Sequence, residues 1–165
     1  MLASREETGS DAFTGAQSNF MLFVLKDVCR RMGIPDHKFT AMSSNSRVIS
    51  ADVSTVKDFN FSSAYDKLNT AVINNGPCVC RYVGSRGKVG TSEAYAEFLY
   101  ELREAFKGIP YQMAMFAKVD LGGGGTIGKY CSAQLNCDVI DIGPGVMNMH
   151  TWFELVGIAD IYYAH

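Results

Sequence analysis

The chain has 165 residues and a formal net charge of −2, and 47% of its residues are hydrophobic and 19% charged. This length and composition are typical of one globular domain, and the scattered Lys and Arg residues argue against a nucleic-acid-binding surface. No apolar run approaches the ~18 residues of a membrane span. The first residues do not show the basic segment followed by an apolar segment that is typical of a signal peptide, so we expect a cytoplasmic protein.

Apolar spacing predicts a first helix in AQSNFMLFVLKDVCRRMG, residues 16–33, which ends at Gly33 and Pro35. The stripe that we expect to be buried consists of Met21, Leu25, Val28 and Met32. The β-branched run RVISADV then predicts a strand, and CVCRYVG predicts another. His37 lies between the first helix and the first strand, in IPDHKF, where we expect a loop.

The segment TSEAYAEFLYELREAFKG, residues 91–108, predicts the clearest helix, with Thr91 or Ser92 as its cap and Gly108 as its stop. Its apolar stripe is Tyr95, Phe98, Leu99, Leu102 and Phe106. After it, YQMAMFAKV predicts a strand, TIGKYCSAQL a short helix, and CDVIDIG a strand apolar enough to be central. TWFELVGIADIYYA predicts the last helix, which Thr151 and Glu154 begin as a capping box.

Strands that alternate with helices predict an α/β fold with a largely parallel sheet. Sites in such sheets form beyond the carboxyl ends of the strands. Asp52 closes the predicted strand residues VISAD, and Asp120 with a run of glycines follows another predicted strand. His150 follows the strand CDVIDIG, and the pair Glu6–Glu7 precedes the first helix.

The glycine run and the cysteines each allow more than one interpretation. Gly123, Gly128 and Lys129 fit the phosphate-loop pattern G-x-x-x-x-G-K, but Tyr130 stands where a Ser or Thr hydroxyl should bind magnesium. A tight strand-to-helix turn is therefore the simpler explanation. The five cysteines have neither an even count nor the C-x-x-C spacing of a zinc site, so we expect buried free thiols.

Two glutamates, an aspartate and a histidine at one edge of a sheet suggest a metal site. Taken singly, Glu6, Glu7, Asp52 and His150 could be solvated carboxylates, a turn residue and a packed histidine. Adjacent glutamates also suit a division of labour, in which one binds a metal and the other holds water as general base. A helix beginning after His150 would favour the neutral imidazole that a metal requires.

Five segments occur in a specific order along the chain. They are REETGS, SNSRVISADV, GSRGKVGTSEA, KVDLGGGGTIGKY and DVIDIGPGVMNMHTWFE. Together they resemble the aspartyl-aminopeptidase and aminopeptidase I family of dizinc exopeptidases, most closely its bacterial members, over nearly the whole chain. The resemblance implies a three-layer α/β/α sandwich with a largely parallel central sheet, and a cytoplasmic hydrolase that removes the N-terminal residue of peptides.

Carried over by position, the resemblance implies that Glu6 is the general base, that Glu7 and His150 bind one zinc, and that Asp52 binds the other. The glycine loop would line the substrate cleft, which explains the glycines without a phosphate. The residues expected to contact substrate are Lys88, Gly124, Gly125 and Thr126, and Lys129 is a further candidate. Manganese or cobalt could replace zinc at such ligands.

The family also uses a bridging aspartate and a second histidine upstream of the paired glutamates, and an inserted β-rich domain. Only five residues precede Glu6 here, so we expect residues 1–165 to form a single, N-terminally incomplete catalytic domain. We expect weak zinc binding, little activity in isolation, and association with a missing N-terminal half or with other copies. A catalytically dead interaction module and a nucleotide-binding protein remain alternatives.

Overall fold

The computed structural model describes residues 5–86, 89–118, 120–121 and 123–165. The helices of this part of the chain are α1 (Phe20–Arg31), α2 (Asp36–Ser44), α3 (Ala96–Ala105), α4 (Gly128–Leu135) and α5 (Ile158–Ala164). The strands are β1 (Arg47–Ser50), β2 (Ser54–Thr55), β3 (Cys78–Cys80), β4 (Tyr82–Ser85), β5 (Val89–Glu93), β6 (Gln112–Met113), β7 (Asp138–Gly143), β8 (Gly145–Met147) and β9 (Leu155–Val156). Among the described residues, no helix combines the length and the apolar character needed to cross a membrane.

The main sheet has the order β1-β7-β3-β6, and β7 is central as its apolar sequence predicts. β1 pairs with β7 and β3 with β6 in parallel, whereas β3 and β7 run antiparallel. A smaller sheet has the order β2-β8-β9, and β4 and β5 form an antiparallel pair. The α/β class is therefore confirmed, but the pairing is mixed, since antiparallel contacts also join β8 to β9.

Helices pack on both faces of the main sheet because successive side chains of β7 point to opposite sides. Val139 packs in one hydrophobic cluster with Cys29 of α1, Phe39 of α2 and Leu135 of α4. Ile140 packs in another cluster with Phe98 of α3. All five cysteines are buried free thiols, as predicted, and burial raises the pKa of Cys78 and Cys80 to about 12.

Several predicted boundaries are wrong. Thr91 and Ser92 lie in β5 and do not cap α3. The backbone N–H of Tyr95 instead contacts the Asp138 carboxylate at 3.2 Å, so a tertiary contact replaces the local cap. The strand predicted in YQMAMFAKV includes only Gln112–Met113, and the segment around His37 is helical.

The last helix begins at Ile158, six residues later than a capping box with Thr151 as its cap requires. Thr151 and Glu154 lie in the connection between β8 and β9, because Leu155–Val156 pairs with β8 as a short strand. Glu154 accepts a hydrogen bond from the His150 backbone N–H at 2.6 Å. His150 therefore does not precede a helix, and the expected effect of a helix dipole on its imidazole is wrong.

Candidate functional site

Glu6 and Glu7 lie in a loop that folds back on itself before α1. The Ala16 N–H donates to Arg5 O at 3.0 Å, and the Gln17 N–H donates to Ser10 O at 3.1 Å. Gly15 allows this closure, because a Cβ there would lie 2.2 Å from Ser10 O. These local contacts place the two glutamates beside the ends of β1 and β8.

Asp52 follows β1 and is held in position by the backbone. Its Oδ1 accepts a hydrogen bond from the Val53 N–H at 2.8 Å. Gly143, the last residue of β7, allows Asp52 to approach, since a Cβ at this position would lie 2.2 Å from Asp52 O. The glycine of the D-x-G sequence in β7 therefore allows the end of β7 to pack closely against the residues that follow β1.

His150 lies at the tip of the β8–β9 turn, with a positive φ of 66°. The hydrogen bond to Glu154 fixes its backbone, and its Nε2 lies 3.4 Å from Glu7 Oε1. Both side chains remain more than half exposed, so a ligand can reach them. The structure thus brings together residues that are 143 positions apart in the sequence.

All four predicted residues, Glu6, Glu7, Asp52 and His150, line one pocket of about 390 Å³. The rest of its described lining consists of the glycine loop with Thr126 and of mostly apolar side chains. These other lining residues are Val53, Thr55, Phe116, Gly123, Gly124, Gly125, Thr126 and Met149. The described lining includes no Lys or Arg side chain, so carboxylates dominate the charge of the pocket.

The electrostatics of the pocket reflect crowded carboxylates. Burial raises the pKa of Glu6, and Asp52, Glu7 and Asp141 add to the rise while His150 opposes it. Burial also raises the pKa of Asp52, against a hydrogen bond from the Val53 N–H that lowers it. Like charges held close together disfavour ionisation, and a bound cation would relieve that repulsion.

Asp141 is a buried carboxyl group that the sequence interpretation missed. It is 4% exposed in the middle of β7, and burial is the largest cause of the rise in its pKa. The Ser50 and Thr126 hydroxyls oppose the rise, although Asp141 Oδ1 and Ser50 Oγ have no partner of good hydrogen-bond geometry. An acidic residue inside the apolar run VIDIG was the signal that could have revealed it.

The predicted substrate contacts have different outcomes. Gly124, Gly125 and Thr126 line the pocket. Lys88 lies outside the described residues. Lys129 is not part of the described lining of the pocket, and its Nζ lies 4.6 Å from the centre of the Tyr130 ring.

The donor chemistry fits a zinc ion in part. Two ligands of a tetrahedral zinc, each at about 2.0–2.1 Å, lie roughly 3.4 Å apart, which is the observed separation of Glu7 Oε1 and His150 Nε2. Among the described residues, however, no group of three or more His, Cys, Asp or Glu side chains is arranged to hold a metal ion. The described chain therefore offers a pair of ligands and nearby carboxylates.

Comparison with known proteins gives consistent matches along the whole chain. A family profile described as aminopeptidase I zinc metalloprotease (M18) matches residues 1–165. A probable M18 family aminopeptidase 1 of Thermotoga maritima is 37% identical over 162 residues, which cover 96% of this chain and 36% of that protein. Its counterpart in Clostridium acetobutylicum is 38% identical over 165 residues, covering 98% and 35%. The chain thus spans about a third of the length of these relatives.

Solved structures match as well. The crystal structure of an M18 family aminopeptidase from Thermotoga maritima has a TM-score of 0.88 at 37% identity, covering 96% of this chain and 36% of that one. Aminopeptidase I from Clostridium acetobutylicum has a TM-score of 0.83 at 35% identity, covering 96% and 34%. The dodecamer of mApe1 from Saccharomyces cerevisiae has a TM-score of 0.71 at 22% identity, covering 96% and 34%, and supports the fold alone.

Proposed function

Because the chain belongs to the M18 aminopeptidase I family, we propose that its pocket is the C-terminal part of the active site of a metal-dependent aminopeptidase. The family resemblance inferred from the sequence is confirmed. The observation that carries the functional proposal is the approach of Glu7 and His150 to 3.4 Å, beside Glu6 and Asp52. For the fold, we propose that the main sheet and the helices on its two faces form a three-layer α/β/α sandwich.

In this proposal Glu7 and His150 hold one metal ion, and Asp52 contributes to a second. Zinc suits a mixed oxygen and nitrogen ligand set, and manganese or cobalt would also be accepted. When bound, the metal supplies Lewis-acid activation of the scissile carbonyl and of water. Glu154 positions His150 through the backbone hydrogen bond at 2.6 Å, so that its imidazole faces Glu7.

Glu6 serves as the general base. It takes a proton from the attacking water and returns it to the leaving amine, and burial raises the pKa of its carboxyl above the ordinary value, which makes it a stronger base. Carboxylate charge that a bound metal ion does not neutralise attracts the free α-amino group of a peptide. That attraction makes peptides with an unblocked N-terminus the expected substrates.

The glycine loop and the apolar wall position the substrate. Gly124 and Gly125 expose backbone groups along one side of the pocket, and Thr126 lies at their end. Phe116 and Met149 provide apolar contacts for a substrate side chain. The loop thus acts as a peptide-binding surface in this proposal, and nucleotide binding is not needed to explain it.

The isolated chain is proposed to be a weak metal binder with little or no activity. It spans about a third of its relatives, and two ligands hold zinc far less tightly than the four of a structural site. The remaining ligands would come from an N-terminal half or from another copy of the chain. We propose a cytoplasmic enzyme that is complete only in such an assembly.

A zinc titration with matched variants tests these roles. Calorimetry at pH 7.5 should show weak binding that Glu7→Gln and His150→Ala abolish, whereas Glu6→Gln should retain it and Glu97→Gln should behave as the wild type. Binding unaffected by Glu7→Gln would contradict the ligand assignment. Turnover of leucine p-nitroanilide by the isolated chain, lost on chelation and in Glu6→Gln, would contradict the proposed inactivity while supporting the role of Glu6.

A further inference from the structure

Gln134, in the last turn of α4, makes three hydrogen bonds to a segment 116 to 118 residues away in the sequence. Its Nε2 donates to the backbone oxygens of Ala16 at 3.3 Å, Gln17 at 2.8 Å and Ser18 at 2.7 Å. These three residues end the loop before α1, here called the glutamate loop (residues 5–18), which carries the predicted general base and metal ligand. A single side chain therefore joins this loop to α4.

The orientation of the Gln134 amide is fixed by its surroundings. Its Oε1 is buried and has no hydrogen-bond partner among the described residues. Rotation of the amide by half a turn would bring this oxygen against the three carbonyl oxygens and remove all three hydrogen bonds. A buried oxygen without a partner costs free energy, and the bonds made by the donor end offset that cost. Gln134 therefore acts as a donor that holds the backbone of the glutamate loop.

Ala16 and Gln17 pass this restraint on to the beginning of the loop. The Ala16 N–H donates to Arg5 O at 3.0 Å, and the Gln17 N–H donates to Ser10 O at 3.1 Å. The first of these bonds closes on the residue that directly precedes the two glutamates. Because α4 holds the oxygens of Ala16 and Gln17 while their N–H groups hold the loop, the position of both glutamates depends on α4.

The other end of α4 follows the glycine loop. The Gly128 N–H, at the start of the helix, donates to Thr126 Oγ1 at 3.1 Å. Thr126 lines the pocket together with Gly124 and Gly125. One short helix therefore contacts two walls of the pocket, the glycine loop at its beginning and the glutamate loop at its end. Groups that orient the ligands of a metal site from outside are a general feature of such sites.

From these contacts we propose that Gln134 is a positioning residue, which sets where Glu6 and Glu7 face Asp52 and His150 across the pocket. The inference rests on the proposed function for the roles of the two glutamates. The hydrogen bonds do not depend on that function, so the two can be tested separately. Gln134 touches neither metal nor peptide in this proposal, and acts only through the backbone of the glutamate loop.

A second glutamine provides a matched control. Gln112 Nε2 donates to Val72 O at 2.9 Å and to Gly76 O at 2.8 Å, and its Oε1 accepts from the Val72 N–H at 2.8 Å. Neither Val72 nor Gly76 belongs to the described lining of the pocket. Gln112→Met and Gln134→Met therefore remove similar hydrogen bonds at a similar side-chain length, but only the second change affects the glutamate loop.

Amide hydrogen exchange of the full chain, measured by NMR without metal or peptide, tests the positioning directly. In Gln134→Met the N–H groups of Ala16 and Gln17 should exchange about tenfold faster than in the wild type, whereas Gln112→Met should leave them unchanged. The Cys131 N–H, which donates within α4, should stay protected in both variants. Wild-type exchange in Gln134→Met, equally fast exchange in Gln112→Met, or loss of protection at Cys131 as well would overturn the proposal.

Zinc calorimetry separates a positioning role from a merely structural one. Both methionine variants should lose a similar part of the free energy of unfolding in urea, but only Gln134→Met should weaken zinc binding, by about tenfold. If Gln134→Met does not fold, Gln134→Glu removes the same donor, keeps the shape of the side chain and should give the same results.

Equal zinc affinity in the two methionine variants would overturn the proposal. A wild type that binds no zinc, but in which exchange at Ala16 still depends on Gln134, would contradict the metal site of the proposed function. The positioning of the glutamate loop would then be supported on its own.

Discussion

Two grooves of similar size open at opposite ends of β1. The candidate site, of about 390 Å³, lies beyond the carboxyl end of the strand, where Asp52 follows it. The other groove, of about 400 Å³, lies at its beginning and includes Arg47, Glu93 and Asp138. Their volumes alone therefore do not show which of the two grooves is a functional site.

The two grooves differ in how their charges are compensated. In the groove at the start of β1, Arg47 pairs with Glu101 at 3.0 Å, and Glu93 pairs with Arg81 at 2.8 Å. In the candidate site, carboxylates face one another, and burial with mutual repulsion raises the pKa of Glu6. Charged groups that have no partner of opposite charge and are held in place by the backbone destabilise the folded state. Such groups are typical of sites that bind a ligand. It therefore indicates function better than cavity size does.

The largest expected effect concerns the backbone that positions Asp52. Gly143→Ala would bring a Cβ to 2.2 Å from Asp52 O, so the connection between β1 and β2 would have to move away from β7. We expect a loss of about 3 kcal/mol in the free energy of unfolding, measured by urea denaturation. Gly124→Ala, in the lining of the pocket and with no atom within 4 Å of its Cβ, should stay within ~0.5 kcal/mol of the wild type. Equal losses would show that the close approach of Gly143 is not essential.

A smaller effect is expected from removing Asp141, the buried acid beside the candidate site. The folded-state pKa of Asp141 is raised by burial, so the native state binds a proton more tightly than the unfolded state does. Stability is therefore lost as pH rises from the unfolded pKa through the folded one. Asp141→Asn should stabilise the chain by about 1 kcal/mol at pH 7 and by progressively less towards pH 4.

Thermal unfolding across that pH range measures this effect. The surface variant Asp11→Asn should show no such gain. A destabilised Asp141→Asn at pH 7 would mean that the ionised carboxylate makes favourable contacts with Ser50 and Thr126 that outweigh its burial.

The smallest effect is expected in the other groove. Glu93→Gln removes an exposed ion pair with Arg81, which contributes at most ~0.5 kcal/mol. Its effect on thermal unfolding should be similar to that of Glu97→Gln, which lines the same groove. A loss above 2 kcal/mol in the free energy of unfolding would show that charges in this groove also contribute strongly to stability. The contrast between the two ends of β1 would then be wrong.

The sequence predicted the features that depend on local patterns. The amphipathic spacing of Phe98 and Leu102 predicted α3, and the apolar run around Ile140 predicted the central strand. The four candidate site residues follow from motif order, and the structure places them in one pocket. These are properties of short segments and of strand ends.

Features that depend on tertiary contacts were not predictable in the same way. The cap of α3 comes from Asp138, 43 residues away, and the pairing of Leu155 with Met147 displaces the start of α5. The antiparallel contact between β3 and β7 has no signature in either strand. The apolar spacing of α1 placed Val28 and Met32 on the buried stripe with Met21, but both are exposed. Apolar residues cover most of that helix, so spacing alone did not show which face meets the core.

The central claim is that Glu7, His150 and the nearby carboxylates form an incomplete metal site. Elemental analysis of the chain, purified without chelator and at a measured oligomeric state, tests it most directly. We expect less than one zinc per chain in the wild type and none in Glu7→Gln. Two zinc ions per chain, or metal that remains in Glu7→Gln, would contradict the account.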